Sequence, residues 1–406
     1  MRELAKRSTL ILSAFLINIF LQREIYAQSK MATIAERTHQ DLLIGVNADL
    51  SLGGASAGQA IVRGVQLAVE EINANGGVLG RQLKFEVKDH AGIVLRGKEN
   101  LRELNQSENL IGVIGGIHSN VILSELQFIH EHQIPYLIPW AAADDLVDNG
   151  YRPNFVFRLG GRDQWVSEFL VSEAVKRGKK IALMLETTVW GRSNLKSLTR
   201  AMAARGLHPV AVEWIDRADT DANIQIAALQ KRTPDVVILA LNAPEGALVV
   251  NTMAARGTKF SVLSHWGIAS NDFFSAAADA LQKISVEFFQ PFSFFNFKNT
   301  RRSFVISKII ASEPSHSIAK VNAAVGLVHA YDLTRMLARA VQKSKSTDRK
   351  KIRLKLESLG AFEGAACPLS PPFTAHRHEA INIKCFILAE FSKTGELRPT
   401  RRDMRQ

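Results

Sequence analysis

From Asp41 onward the chain alternates short, β-branched apolar runs with longer amphipathic stretches. That alternation admits few folds: strands rich in Val, Ile and Leu with helical segments between them call for a parallel sheet covered by helices. The first run is Leu42-Leu43-Ile44-Gly45-Val46, followed by a Gly/Ser loop over 50–58. Ile61, Val65, Leu67 or Ala68, and Ile72 then fall at helical spacing and predict a helix over 60–75. Asn75-Gly76-Gly77 ends it, because glycine accepts the left-handed conformation that closes a helix. The unit repeats, with strands expected at 83–87, 110–114 and 135–138 and helices near 97–105 and 120–132. A second series starts after Phe155-Val156-Phe157. Its expected strands lie at 181–185, 210–214, 236–239 and 260–263, and its helices at 163–177, 192–205, 221–231 and 245–256.

After an aromatic-rich strand at 286–292 the pattern turns mainly helical, over 301–311, 318–342 and 350–359. Helices without intervening strands cannot build such a lobe alone, so they must pack onto one already formed. The expected fold class is therefore α/β: two doubly wound, Rossmann-like lobes between which the chain passes more than once. Passages are expected at Arg158–Asp163, Glu287–Phe292 and Phe362–Phe373, the last because Pro368, Pro371 and Pro372 forbid regular helix. The expected division gives one lobe 41–158 plus 292–361 and the other 159–291 plus 373–400, with 362–372 as the third crossing. A chain of 406 residues also exceeds the size at which one core usually keeps growing. With 46% hydrophobic and 22% charged residues, disordered and fibrous classes are excluded.

The first residues read as an export signal. Arg2, Lys6 and Arg7 form a positive start, and Leu10–Leu21 is apolar apart from Ser13 and Asn18. The apolar run is shorter than the ~20 residues a membrane-spanning helix needs. Cleavage is expected after Ala27, in Ile25-Tyr26-Ala27, giving a 1–27 signal peptide; an uncleaved anchor is the alternative. No cysteine stands near it to carry a lipid, so the mature protein is expected in the periplasm. Removing four basic and two acidic residues lowers the formal charge from +12 to +10. The remaining positive residues are dispersed except in the tail 398–405, and no basic helix carries interleaved aromatics, which excludes a nucleic-acid partner. Cys367 and Cys385 form a possible disulfide in an oxidising compartment, or else two buried thiols.

The stretch Gly64-Val65-Gln66-Leu67-Ala68-Val69-Glu70-Glu71-Ile72-Asn73-Ala74-Asn75-Gly76-Gly77-Val78-Leu79-Gly80 resembles the signature helix and turn of the leucine/isoleucine/valine-binding proteins. Ile111-Gly112-Val113-Ile114-Gly115-Gly116-Ile117-His118-Ser119 and Ile134-Pro135-Tyr136-Leu137-Ile138-Pro139 resemble the family's next strands and turns. Order and spacing fit from about Asp41 to Leu397. The resemblance implies a type I periplasmic-binding-protein fold, with two lobes on three hinge crossings, a solute held between them, and delivery to the membrane permease of an ABC transporter. A ligand-sensing receptor of the same fold is the alternative, and a monomer is expected.

In doubly wound folds ligands meet the carboxyl ends of parallel strands, where helix N-termini present unpaired N–H groups. His118, Ser119 and Asn120 occupy such a place. In the family the serine matching Ser119 contacts the ligand carboxylate; its plainer role would be to cap the helix. The loop Pro139-Trp140-Ala141-Ala142-Ala143 is similar to the segment whose backbone and hydroxyl contact the amino acid, but Ala142 replaces the hydroxyl. Trp190 matches an aromatic that covers the ligand, and Trp266, in Ser264-His265-Trp266-Gly267, stands where amino-acid receptors place an acid for the α-ammonium group. Without that acid a buried ammonium would have poor compensation for its lost hydration. The expected solute is therefore a small organic acid, amide or aromatic carboxylate as much as leucine. Either tryptophan could instead be core. Asn242 and Glu245, after the strand at 236–239, complete the candidates; Glu245 could simply favour a helix start.

Gly112, Gly115 and Gly116 do not make a Gly-x-Gly-x-x-Gly loop, and no Walker-type sequence occurs. His130-Glu131-His132 lacks the spacing for two ligands on one helical face, and His376 and His378 are isolated. No Ser/His/Asp set is evident. We expect no enzyme, no cofactor and no metal.

Overall fold

The computed structural model describes residues 40–295, 299–312, 317–381 and 383–400, so the expected signal at 1–27 lies outside the described residues. Two parallel sheets dominate. The first contains β1 (Leu42–Ala48), β2 (Leu83–Asp89), β3 (Leu110–Ile114), β4 (Tyr136–Ile138) and β5 (Val156–Arg158), in the order β2-β1-β3-β4-β5. Central β1, paired on both sides, is a continuous apolar run with Leu42, Ile44, Val46 and Ala48 fully buried. Edge strand β2 instead alternates, burying Leu83 while Lys84 and Glu86 face outward.

Helices α1 (Ala55–Ala74), α2 (Val94–Asn105) and α3 (Ser119–Glu131) follow β1, β2 and β3. The sequence placed the start of α1 later; its small first turn continues the helix back to Ala55. Gly76 and Gly77, at φ 93° and 74°, end it as expected.

The second sheet contains β6 (Ile181–Glu186), β7 (Ala211–Ile215), β8 (Val236–Ala240), β9 (Ser261–Ser264) and β10 (Val286–Gln290), with helices α4 (Asp163–Val175), α5 (Val189–Ala203), α6 (Asn223–Arg232), α7 (Ala243–Ala255) and α8 (Asn271–Leu281). Its parallel part runs β10-β9-β8-β6-β7, so that, counted from its own first strand, it repeats the 2-1-3-4-5 order of the first sheet. Helix α8, capped by Ser270, was not anticipated.

The late helices are α9 (Thr300–Ser312), α10 (Ala324–Ser344) and α11 (Arg349–Leu356). Helix α10 is apolar nearly all round and lies against α1 and β3. Its contact with α1 is backbone-close: a Cβ on Gly64 would stand 2.0 Å from the Leu327 carbonyl oxygen. The single helix expected over 318–342 is broken. A short turn at Ile318–Lys320 is followed by extended Val321 and by Ala323 at φ 47°, a conformation no helix interior can contain.

A small antiparallel pair, β11 (Phe362–Glu363) and β12 (Pro368–Leu369), occupies much of the expected third crossing. Asp332 on α10 holds it by accepting the Ala365 and Ala366 N–H groups at 2.9 and 2.8 Å. The chain then passes beside the first crossing. His378 accepts the Arg158 N–H, Arg158 accepts that of Ala380, and the buried Arg158 guanidinium is bidentate on Glu379, at 2.9 and 2.5 Å. Strands β13 (Ile387–Phe391) and β14 (Leu397–Pro399) extend the second sheet antiparallel beyond β10. Cys367 and Cys385 are disulfide-bonded, with Cα atoms 6.5 Å apart. Among the described residues no helix is long and apolar enough to cross a membrane, and no group of three or more His, Cys, Asp or Glu is placed to hold a metal.

Candidate binding cleft

The residues that follow the carboxyl ends of β3, β4, β6, β7, β8 and β9 converge on a cleft between the sheets. This is where doubly wound sheets leave room for ligands. One wall is made by Ile117, His118, Ser119, Asn120, Trp140 and Ala142, and the other by Thr188, Trp190, Arg217, Asn242, His265, Trp266 and Gly267.

On the first wall, α3 opens at Ser119 after extended His118. Ser119 does not cap that helix: its Oγ accepts the Ala143 N–H at 3.3 Å, tying the loops after β3 and β4 together and leaving its O–H to donate. Ala142 lines the cleft, and its carbonyl accepts the Asp163 N–H at 3.0 Å. Ala141 does not reach the cleft, since its side chain packs into the smaller core beneath β3, β4 and β5.

On the second wall the aromatic residues stack in series. Trp190 stands edge-on to His265 with centroids 5.0 Å apart, and His265 stacks on Trp266 at 3.9 Å. Asp163, fully buried at the start of α4, steadies them by accepting from Trp190 Nε1 and Asn194 Nδ2, both at 3.1 Å. Burial pushes the His265 imidazole below its ordinary pKa, against the pull of Asp163, so it is neutral. The Trp266 indole N–H and the second Asp163 oxygen have no hydrogen-bond partner among the described residues. Trp266 thus both lines the cleft and belongs to the core, packed on Phe289.

Arg217 is the single Lys or Arg among the lining residues. Its Nε donates to Glu186 Oε1 at 2.6 Å, while Glu186 Oε2 accepts from Asn242 Nδ2 at 2.7 Å. Asn242 therefore spends its amide on Glu186 and not on capping α7. Glu245 lies one turn into α7, away from the cleft surface. Burial, with Glu186 adding to it, pushes its carboxyl up to about 7.

Of the nine ligand-site candidates, seven meet at one cleft; Ala141 and Glu245 stand behind it. Sequence reasoning did not single out Arg217, Thr188 or His265. Thr188 carried a usable signal, since it caps α5 by accepting the Gly191 N–H at 3.2 Å. Arg217 carried none, for it sits in a loop whose placement depends on β7 pairing with β6.

Two α/β lobes of matching strand order, facing each other across a cleft at their strand ends, define a two-lobed solute-binding protein. The model of the family described as periplasmic binding protein matches residues 42–396, and the chain belongs to that family. A Leu/Ile/Val-binding protein of Rhizobium johnstonii is 26% identical over 250 residues, which is 61% of this chain and 67% of that protein. A homologue from Brucella melitensis is 24% identical, over 59% of this chain and 65% of its own length. Among solved structures, a type 1 periplasmic binding protein from Bordetella pertussis superimposes with TM-score 0.82 at 21% identity, covering 89% of this chain and all of that one (100%). A solute-binding protein of an R. palustris ABC transporter, solved with benzoate, gives 0.76 at 21% identity, covering 89% and 96%. The family and the fold are those of binding proteins, not of enzymes.

Proposed function

We propose that this protein is exported to the periplasm as a monomer, captures a small organic acid, aromatic carboxylates foremost, and delivers it to an ABC permease by closing its lobes. The single observation that carries the choice of solute is the composition of the cleft: a guanidinium, a serine hydroxyl and three indoles line it, and among the described residues no carboxylate does. An anion gains hydrogen bonds from such walls, and a flat ring gains stacking partners. The α-ammonium of leucine would be stripped of water with no facing acid. In this reading Ser119 and the first N–H groups of α3 take the carboxylate, while Trp140, Trp190 and Trp266 enclose the ring. The benzoate held by the R. palustris neighbour agrees with it, as does the absence of a hydroxyl at Ala142.

The lobes are taken as 41–158 with 292–361 and 159–291 with 373–400, moving about the crossings near Arg158 and Glu379. The leader at 1–27 directs export, and the protein performs no catalysis. A thermal-shift screen followed by calorimetry tests the reading, because a ligand confined to the native state adds about 2.7 kcal/mol at a hundredfold excess over Kd. Benzoate or 4-hydroxybenzoate should raise the melting point more than leucine, isoleucine or valine at equal concentration. Leucine as the tightest ligand would overturn the assignment.

A further inference from the structure

His118 lines the cleft, yet neither of its ring nitrogens is left for a solute. Nε2 lies 2.8 Å from Asp49 Oδ2 and Nδ1 lies 3.0 Å from Arg217 Nη2. Asp49 is an ionised acceptor: burial raises its carboxyl, but the hydrogen bonds from His118, Leu52 N–H and Gly54 N–H outweigh that and hold it well below the usual range. Arginine can only donate. The proton of His118 must therefore sit on Nε2, leaving Nδ1 bare to accept from Arg217. Asp49 and His118 belong to the first lobe, following β1 and β3; in the second, Glu186 ends β6 and Arg217 and Asn242 follow β7 and β8. A continuous run of polar contacts thus crosses the cleft.

We propose that His118 is the positioning residue of a clasp between the lobes: its bare Nδ1 docks Arg217 across the gap and sets the guanidinium at the cleft wall. The inference rests on the cleft being the solute site and adds a requirement, that His118 be neutral for the clasp to hold. A second proton would turn Nδ1 into a donor facing a donor and set two cations against each other at hydrogen-bond distance. Other ionisable groups surround it. His90, 5.8 Å away ring to ring, is pushed down to about 4, chiefly by burial; Asp89 is held below its ordinary value by the Leu50 and Ala91 N–H groups; Glu186 is paired to Arg217; and Glu245, buried and repelled by Glu186, is pushed up to about 7. Glu245 also gains a proton as the pH falls, so His118→Gln is the variant that tells an effect at His118 from one at Glu245.

The test uses the mature protein, with His118→Phe, His118→Gln and Arg217→Met. Nitrogen-15 histidine spectra read the tautomer without any solute, small-angle scattering reads closure, and benzoate calorimetry reads affinity at about pH 8 and about pH 5, the range over which histidine changes charge. The expected results are an Nε2–H tautomer at the higher pH, a looser wild type at the lower pH, and benzoate affinity falling about tenfold between them, within the usual range of coupling between sites. His118→Phe and Arg217→Met should be weakened at both values, whereas His118→Gln, which keeps one donor and one acceptor but cannot titrate, should lose the pH dependence. An Nδ1–H tautomer, or an Arg217→Met variant with unaltered compactness and pH profile, would overturn the clasp. If benzoate does not bind at all, the choice of solute fails while the spectra and scattering still decide the clasp.

Discussion

The two lobes share one strand order but bring different chemistry to the cleft. The first offers a serine hydroxyl, a helix start, an indole and an imidazole; the second offers two indoles, another imidazole and, among the lining residues, the guanidinium. They are also completed differently. The first is covered by α10 and α11, formed late in the chain, whereas the second is extended at its edge by antiparallel β13 and β14. Strand order fixes where loops gather, and the residues placed in those loops decide what the gathering can bind.

The comparison breaks most severely if the lobes lose their common hinge. Arg158 ends the last strand of the first sheet and is fully buried on Glu379, which is itself buried. Arg158→Met would leave Glu379 without its partner, and removing one side of a buried pair costs about 3–5 kcal/mol. Urea denaturation should show that loss, with one transition splitting into two as the lobes uncouple. A variant as stable as the parent would show that the crossings do not depend on this pair.

A smaller effect separates the lobes from each other. Gly64 in α1 meets the Leu327 carbonyl, and in the second lobe a Cβ at Gly191 would stand 1.7 Å from the Glu186 carbonyl. Alanine at either position forces a shift that costs about 1–3 kcal/mol. Gly64→Ala should lower stability with only a smaller loss of solute affinity, since α10 backs the cleft wall from behind, through Gly326 against Trp140 and His329 against the Pro139 carbonyl. Gly191→Ala should lower both, because it displaces the strand end that carries Glu186 and, through it, Arg217. Equal effects on affinity would erase the distinction.

Most of the fold was legible because hydrophobic period reports burial directly: the runs at 42–46, 110–114, 181–185 and 236–239 became central strands. The sequence also pointed to Ser119, Asn120 and Trp190, which follow strands or open helices. What stayed hidden depended on contacts distant in the chain. Ala323 reverses its backbone where helical spacing continues, and β13 and β14 exist because β10 leaves an open edge. Arg217 gains its place from Glu186 on another strand and from His118 in the other lobe. No local pattern encodes such a meeting.

The finest contrast lies between two buried acids. Glu125 in α3 is pushed up to about 8 by burial, although Tyr136 O–H and Asn47 Nδ2 each donate to it at 2.8 Å. Glu245 is pushed up to about 7 by burial and by Glu186, and its Oε2 has no hydrogen-bond partner among the described residues. Both native values exceed the ~4.3 of an unfolded glutamate, so the native state holds the extra proton between the two. The stability each contributes is complete below the unfolded value and is lost as pH rises through the native one. Glu245→Gln removes one of these losses. Near pH 5 it should match the parent, and near pH 8 it should be more stable by about 1 kcal/mol, the scale of one unsatisfied buried group. The decline that remains should then have its midpoint nearer that of Glu125. A variant less stable than the parent at both values would mean that the Glu245 carboxylate is held by a contact in the second lobe that the first lobe does not need.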